Sequence, residues 1–208
     1  MPNPQRVITY IDGFNLYFGL KARGWRQFYW LNLLALARNL LRPDQTLIEA
    51  KYFTSRIRND PPKEHRQSTY IDALGTLPPA EFRIFYGKYQ SETRTCRRCG
   101  ASSQTHNEKM TDVNIAVEMI SDAFQDRLEA ALLVSADSDL TAPVATTLRL
   151  FPSKRIVAAF PPARSSEDLK RVVSGYFMIG HGVLARSLFP DRVVRADGFV
   201  LTRPASWR

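Results

Sequence analysis

No apolar run in this chain approaches the roughly 20 residues that a membrane-spanning helix needs. The opening stretch, MPNPQRVITYIDG, has neither the apolar core nor the cleavage site of a secretory signal. Cysteine is scarce: Cys96 and Cys99 are the only two, too few for a disulfide scaffold and suited to a reducing compartment. Together these absences predict a cytosolic, cytoplasmic protein. Acidic residues are the other shortage. Twenty Asp and Glu stand against 29 Lys and Arg, a formal net charge of +9. Such an excess attracts polyanions and raises their encounter rate without specifying a fold. Nucleic acid is the first partner it suggests and an anionic membrane surface the second. No basic amphipathic helix with a large apolar face stands out, which weakens the membrane option. Internal repeats and linkers are missing as well. With 208 residues, 44% of them hydrophobic and 24% charged, the chain suits one domain with one sizeable core.

What is present is an alternation of strand-like and helix-like segments. Residues 6–11 (RVITYI), 47–57, 82–89, 131–134, 155–160 and 176–179 read as strands. Between them, 16–23, 31–41 with Asn32 as N-cap, 62–74, 112–124, 140–148 with Pro143 in the first turn, and 182–188 are compatible with helix. In 112–124 the apolar positions Val113, Ala116, Val117, Ile120 and Phe124 recur at helical spacing. Ser165 with Asp168 resembles a capping box that opens a helix through residue 173. Residues 90–108 are polar and turn-rich and are predicted to form an inserted loop, and 191–208 an extended C-terminal extension. The alternation predicts an α/β fold, one domain over 6–190, with a mostly parallel sheet and helices on both faces.

The chemistry gathers at strand ends. The apolar run Ala131–Val134 closes in Ser135, Ala136, Asp137, Ser138 and Asp139. A continuous apolar run reads as a strand buried on both faces, and its polar exit would lie at the carboxyl edge, where open α/β sheets bind ligands. Asp12 follows the first strand directly, and Asp112 opens the helix that leads into the fourth. If the first and fourth strands are neighbours, these acids share one edge. Carboxylates converging there repel one another and suit Mg²⁺ or Mn²⁺, which prefer oxygen ligands. Such an ion can polarise a phosphodiester and lower the pKa of an attacking water. The plainer account of the same residues is local: turns, helix caps and first-turn acids.

Three segments break the tie. YIDGFNLY (10–17), EKMTDVNIA (108–116) and LLVSADSDL (132–140) resemble, in order and spacing, the NYN domain, a branch of the PIN-like ribonucleases. The three-part match is specific and spans roughly residues 6–190, whereas Asp-Gly alone would be weak. The resemblance implies a Rossmann-like three-layer αβα sandwich and metal-dependent cleavage of RNA, single-stranded or structured. It implies Mg²⁺ or Mn²⁺ held by Asp12, Asp112, Asp137 and Asp139, with Asn15 and Ser135 supporting by hydrogen bonds. Where family members often have Gly between the Ser and the Asp, this chain has Ala136. Lys109 is a candidate for a phosphate oxygen, or else a solvated lysine.

Cys96-Arg97-Arg98-Cys99, followed by His106, forms a second constellation. Cys-x₂-Cys is half of a common structural zinc site, with His106 as a third ligand and His65, an acid or a water as the fourth. A subset of NYN-like proteins resembles this chain in that pattern. A Zn²⁺ there would order a loop whose Arg94, Arg97 and Arg98 reach substrate; two free thiols are the alternative. The aromatic cluster Trp25–Trp30, with Arg26 inside it, reads first as core and second as a base-stacking platform. Three other functions remain open: an inactive RNA-binding module, a DNA nuclease (no residue here is seen to read the 2′-OH) and a phosphoryl-accepting receiver. The last wants an acidic pair at the first strand, where only Asp12 stands. The sequence leaves the oligomeric state open, a homodimer included.

Overall fold

The β-branched run of Val7, Ile8, Thr9 and Ile11 forms the centre of β1 (Gln5–Asp12), buried from Val7 onward. The computed structural model describes residues 4–95, 99 and 102–208; for 88–95 and 102–109 the side chains are not described. After β1 come α1 (Gly13–Ala22), a short helical turn at Arg26–Trp30, and α2 (Leu33–Asn39), whose N-cap Asn32 accepts the Ala35 N–H at 2.9 Å. β2 (Gln45–Thr54), α3 (Pro61–Leu74) and β3 (Phe82–Tyr86) complete the first half. An antiparallel ribbon of β4 (Lys88–Thr95) and β5 (Ser102–Lys109) leads into the second half. That half holds α4 (Thr111–Phe124), β6 (Ala130–Val134), α5 (Thr141–Leu150), β7 (Arg155–Phe160), α6 (Glu167–Val172) and β8 (Gly175–Met178). It ends in α7 (His181–Arg186) and the hairpin of β9 (Arg192–Val194) and β10 (Val200–Thr202).

Six strands form one sheet in the order β3-β2-β1-β6-β7-β8, and every pairing in it is parallel. Parallel neighbours need crossovers, and the helices supply them on both faces, which makes the αβα sandwich. The chain steps outward from β1 through β2 to β3, then outward the other way from β6 through β7 to β8. The direction reverses between β1 and β6, so their connections diverge and leave a crevice at the carboxyl edge. One face buries Leu16, Leu20, Trp30 and Leu36, and the other buries Ile115, Met119, Leu133, Val144 and Phe160. Burial of each such side chain contributes about 1.5–3 kcal/mol relative to exposure.

α4 is bound to the sheet by charge as well as by apolar contact. Lys51 on β2 is fully buried, 2.7 Å from Glu118 and ion-paired to Asp122 on α4. The Tyr10 hydroxyl donates to Asp122 at 2.6 Å, and Arg127 reaches both Asp122, at 2.6 Å, and Glu49, at 2.9 Å. A buried lysine is tolerable only when paired in this way.

Several elements differ from the sequence reading. The stretch 90–108, expected as a loop, lies largely within β4 and β5, a two-stranded ribbon outside the main sheet whose polar sequence carries no apolar alternation. α6 is capped by Ser166, which accepts the Leu169 N–H, rather than by Ser165. In α4 the stripe of Val113, Val117 and Phe124 faces outward, and the buried face carries Ile115, Met119 and Asp122. Asp122 turns inward because Lys51 waits there. The residues after 190 form the β9–β10 hairpin and end with Trp207 packed 5.8 Å from Tyr29 and 6.0 Å from Tyr70. Within the aromatic cluster, Phe28 and Trp30 belong to the core.

Candidate metal centre at the carboxyl edge

β1 and β6 pair in parallel register from Val7 with Ala130 to Ile11 with Val134, so their exits lie side by side. Asp12, buried at the end of β1, caps α1 by accepting the Asn15 N–H at 3.0 Å. α1 can begin there because residue 13 is glycine: a Cβ would lie 2.7 Å from the Tyr52 ring and 2.8 Å from the Phe53 carbonyl. Ser135, fully buried, follows β6. Its hydroxyl donates to Asp12 at 2.8 Å and accepts the Asp137 N–H at 3.0 Å. The Asn15 side-chain carbonyl accepts the Ala136 N–H at 3.0 Å. One hydroxyl and one amide thus hold the two strand exits to each other. Asp137 caps the short helical turn Ser138–Leu140, accepting the Asp139 N–H at 3.0 Å.

Asp112 arrives from another direction, in the first turn of α4. Met110, which precedes that helix, has φ 81°, a left-handed conformation uncommon for a non-glycine residue. Carboxylate oxygens of Asp12, Asp112 and Asp137 lie within 4.8 Å of one another, on three different elements. Asp139 stands outside this trio and is exposed. The trio lines a cleft of about 170 Å³, together with Phe14, Phe18, Met110 and Arg164.

The electrostatics follow from this crowding. Burial first, then the charges of Asp12, Asp137 and Asp139, push the Asp112 carboxyl up to about 6. Burial also pushes Asp12 up, against hydrogen bonds from Asn15 and Ser135 that hold it down; Asp137 adds to the rise and Arg164 opposes it. Capping accounts for Asp12 and Asp137 singly. It does not account for Asp112, whose carboxylate accepts no hydrogen bond among the described residues. Three carboxylates faced, among the described residues, by one half-buried arginine suit a hard divalent cation, since every group in the trio offers oxygen and none offers sulfur or imidazole.

Arg164 escaped the sequence reading. It sits in the loop after β7, at the same edge, beyond a turn with Ala163 at φ 58°. That loop packs on α1 at Gly19, where a Cβ would come 2.7 Å from the Pro162 carbonyl oxygen. The available signal was position: a cation four residues past a parallel strand falls on the ligand-binding edge. Of the second constellation, Cys96, Arg97 and Arg98 lie outside the described residues, as do the side chains of Arg94, His106 and Lys109. Cys99 is exposed, and His65 is exposed on α3.

The sequence profile of the NYN domain matches residues 6–180. Among curated proteins, the chain is similar to the 6-hydroxy-3-succinoylpyridine 3-monooxygenase HspA of Pseudomonas putida, with 27% identity over 192 aligned positions. That alignment covers 76% of this chain and 60% of the relative, so the chain spans about three fifths of that protein's length. Among solved structures, it is similar to a protein of unknown function from Vibrio parahaemolyticus, with a TM-score of 0.57 and 16% identity, covering 91% of this chain and 99% of the other. The likeness is one of fold.

Proposed function

The chain belongs to the NYN domain family, and from that premise and the acid cluster we propose that it is a metal-dependent ribonuclease hydrolysing RNA phosphodiester bonds. The observation that carries the reading is the meeting of Asp12, Asp112 and Asp137 within 4.8 Å, in a chain of net charge +9. A strongly basic protein that concentrates negative charge at one crevice is built to hold a cation there and a polyanion around it.

Asp12, Asp112 and Asp137 would hold Mg²⁺ or Mn²⁺, with Asp139 near enough to add to the field. A divalent cation so bound supplies Lewis acidity toward a phosphodiester oxygen and makes a nearby water more acidic. The remaining work belongs to the chain. Ser135 and Asn15 fix the Asp12 carboxylate and the 135–137 backbone, so the oxygens need no reorganisation when a ligand arrives. Arg164, half-buried beside the trio, offers a guanidinium to a non-bridging phosphate oxygen. Phe14 and Phe18 give the cleft an apolar wall that limits water.

The test is incubation of labelled single-stranded RNA with Mg²⁺ or Mn²⁺, with and without chelator. The expected result is metal-dependent cleavage that falls at least about a hundredfold in Asp12→Asn and Asp137→Asn, since altering even the partners of metal ligands costs about 10–100-fold. Undiminished cleavage by both variants would overturn the proposal. A DNA strand of the same sequence, cut faster than the RNA, would reassign the substrate. RNA binding without turnover under either metal would make the domain a binding module.

A further inference from the structure

The acid cleft opens onto a larger groove of about 800 Å³, and Phe14 and Phe18 line both. α1, the Arg26–Trp30 turn, the loop after β2 and α3 form its walls, with Trp207 at the far end. An unbroken series of ring contacts leads away from the acids. Phe14 lies 6.2 Å from Phe18, Phe18 5.3 Å from Tyr17, Tyr17 4.9 Å from Tyr29, and Tyr29 5.8 Å from Trp207. Tyr17 and Phe18 are exposed, so this track has open faces.

The charge along the track is mostly positive. Lys21, Arg26, Arg58, Lys63 and Arg66 line the groove, and Asp60 is its one carboxylate. Asp60 is already paired with Lys63 at 2.5 Å. Among the described residues, no carboxylate lies within ion-pair distance of Arg26, Arg58 or Arg66. Two exposed rings, Tyr17 and Phe18, continued by the half-buried Tyr29 and Trp207 and interleaved with unpaired cations, make up the kind of surface that holds single-stranded nucleic acid: each base has a face to stack, and each phosphate needs a positive partner. A duplex offers phosphates but no free base faces, because its bases are already stacked on one another.

We propose that this groove is a single-strand subsite. Two or three nucleotides on one side of the scissile phosphate unstack there, lay their bases along Tyr17, Tyr29 and Trp207, and seat their phosphates on Lys21, Arg26, Arg58 and Arg66. The assignment rests on the nuclease reading for the position of the scissile phosphate. A strand cut at the acid cleft must continue across some neighbouring surface. This groove shares a wall with the cleft and is both basic and aromatic.

The experiment measures fluorescence anisotropy of a labelled single-stranded oligoribonucleotide, and of a blunt duplex of the same sequence, with chelator present to prevent turnover. Tyr17→Ala is expected to weaken single-strand binding about tenfold and duplex binding less than about twofold. Tyr17→Phe, which keeps the ring and loses only the hydroxyl, retains the wild-type value, so loss of the ring face is separated from loss of the hydroxyl. The Arg58→Ala/Arg66→Ala double variant is expected to flatten the slope of log affinity against log salt by about 1.4, at about 0.7 for each single-strand phosphate that is no longer neutralised. The proposal is overturned if Tyr17→Ala weakens single strand and duplex alike, or neither. It is equally overturned if an oligoglutamate peptide competes as well as RNA, which would make the groove a site for acidic peptide. Unchanged binding by every variant, alongside metal-dependent cleavage by the wild type, removes the groove and leaves the nuclease. Variant-sensitive single-strand binding with no cleavage removes the nuclease and leaves the groove.

Discussion

One buried hydroxyl ties together two of the acids at the exits of β1 and β6. Ser135 gives its proton to Asp12 and takes the Asp137 N–H, so Ser135→Ala strands a buried carboxylate oxygen and a backbone donor together. An unsatisfied buried group costs about 1–3 kcal/mol, and in a chain of this size each kcal/mol lowers the melting temperature by about 2–4 °C. Calorimetry should register that loss, and cleavage should fall about 10–100-fold beside it. Asp112 sets the pH response. Its carboxyl ordinarily titrates at 3.8 and here near 6, so between those values the folded state binds more protons than the unfolded one. The stability of the metal-free protein therefore falls as pH rises through that window, as far as this group is concerned, and is flat above it. Metal-free Asp112→Asn should melt above the wild type at about pH 7.5 and level with it at about pH 4. A cation competes with the same proton, so Mg²⁺ or Mn²⁺ should raise the melting temperature more at about pH 7.5 than at about pH 5. At this scale the sequence was informative for residues beside a strand end or helix start, where Asp12, Asp112 and Asp137 stand. It was silent on Arg164, which reaches the cleft only because Gly19 lets a distant loop press against α1.

α4 shows how an element can be found and its orientation missed. Hydrophobic periodicity locates the helix correctly, yet Val113, Val117 and Phe124 face outward while Asp122 faces in. Periodicity scores apolar residues alone, and this face is decided by Lys51, a charge buried on another strand that requires acidic partners. The same network holds the helix that delivers Asp112. Asp122→Ala leaves Lys51, Arg127 and the Tyr10 hydroxyl short of a partner, and breaking one side of a buried pair costs about 3–5 kcal/mol. Denaturant unfolding should show a loss of that size, and metal affinity should fall with it, although Asp122 belongs to no part of the acid trio. The one-residue error at the α6 cap has a smaller cause: Ser165 and Ser166 both qualify as caps, and only the backbone decides between them.

Across the whole molecule, the strand order β3-β2-β1-β6-β7-β8 turns local sequence signals into a site, because it sets the exits of β1 and β6 side by side. Alternation of strands and helices made the parallel sheet legible, while the strand order was not, since sequence does not show pairing: that β1 and β6 are neighbours entered as an assumption and is seen only in the register. The ribbon of β4 and β5 and the C-terminal hairpin were not legible, since neither lies in the sheet whose burial creates the pattern. Five cations line the aromatic groove beside the acid cleft, so RNA affinity should fall steeply as salt rises, in anisotropy titrations at several ionic strengths. A cation held by Asp12, Asp112 and Asp137 is the centre on which the proposed chemistry depends. Crystals grown with Mn²⁺ and measured for anomalous scattering test that directly. A peak bonded to oxygens of all three carboxylates, absent from Asp112→Asn crystals, is the predicted result; well-ordered carboxylates with no peak among them would contradict it.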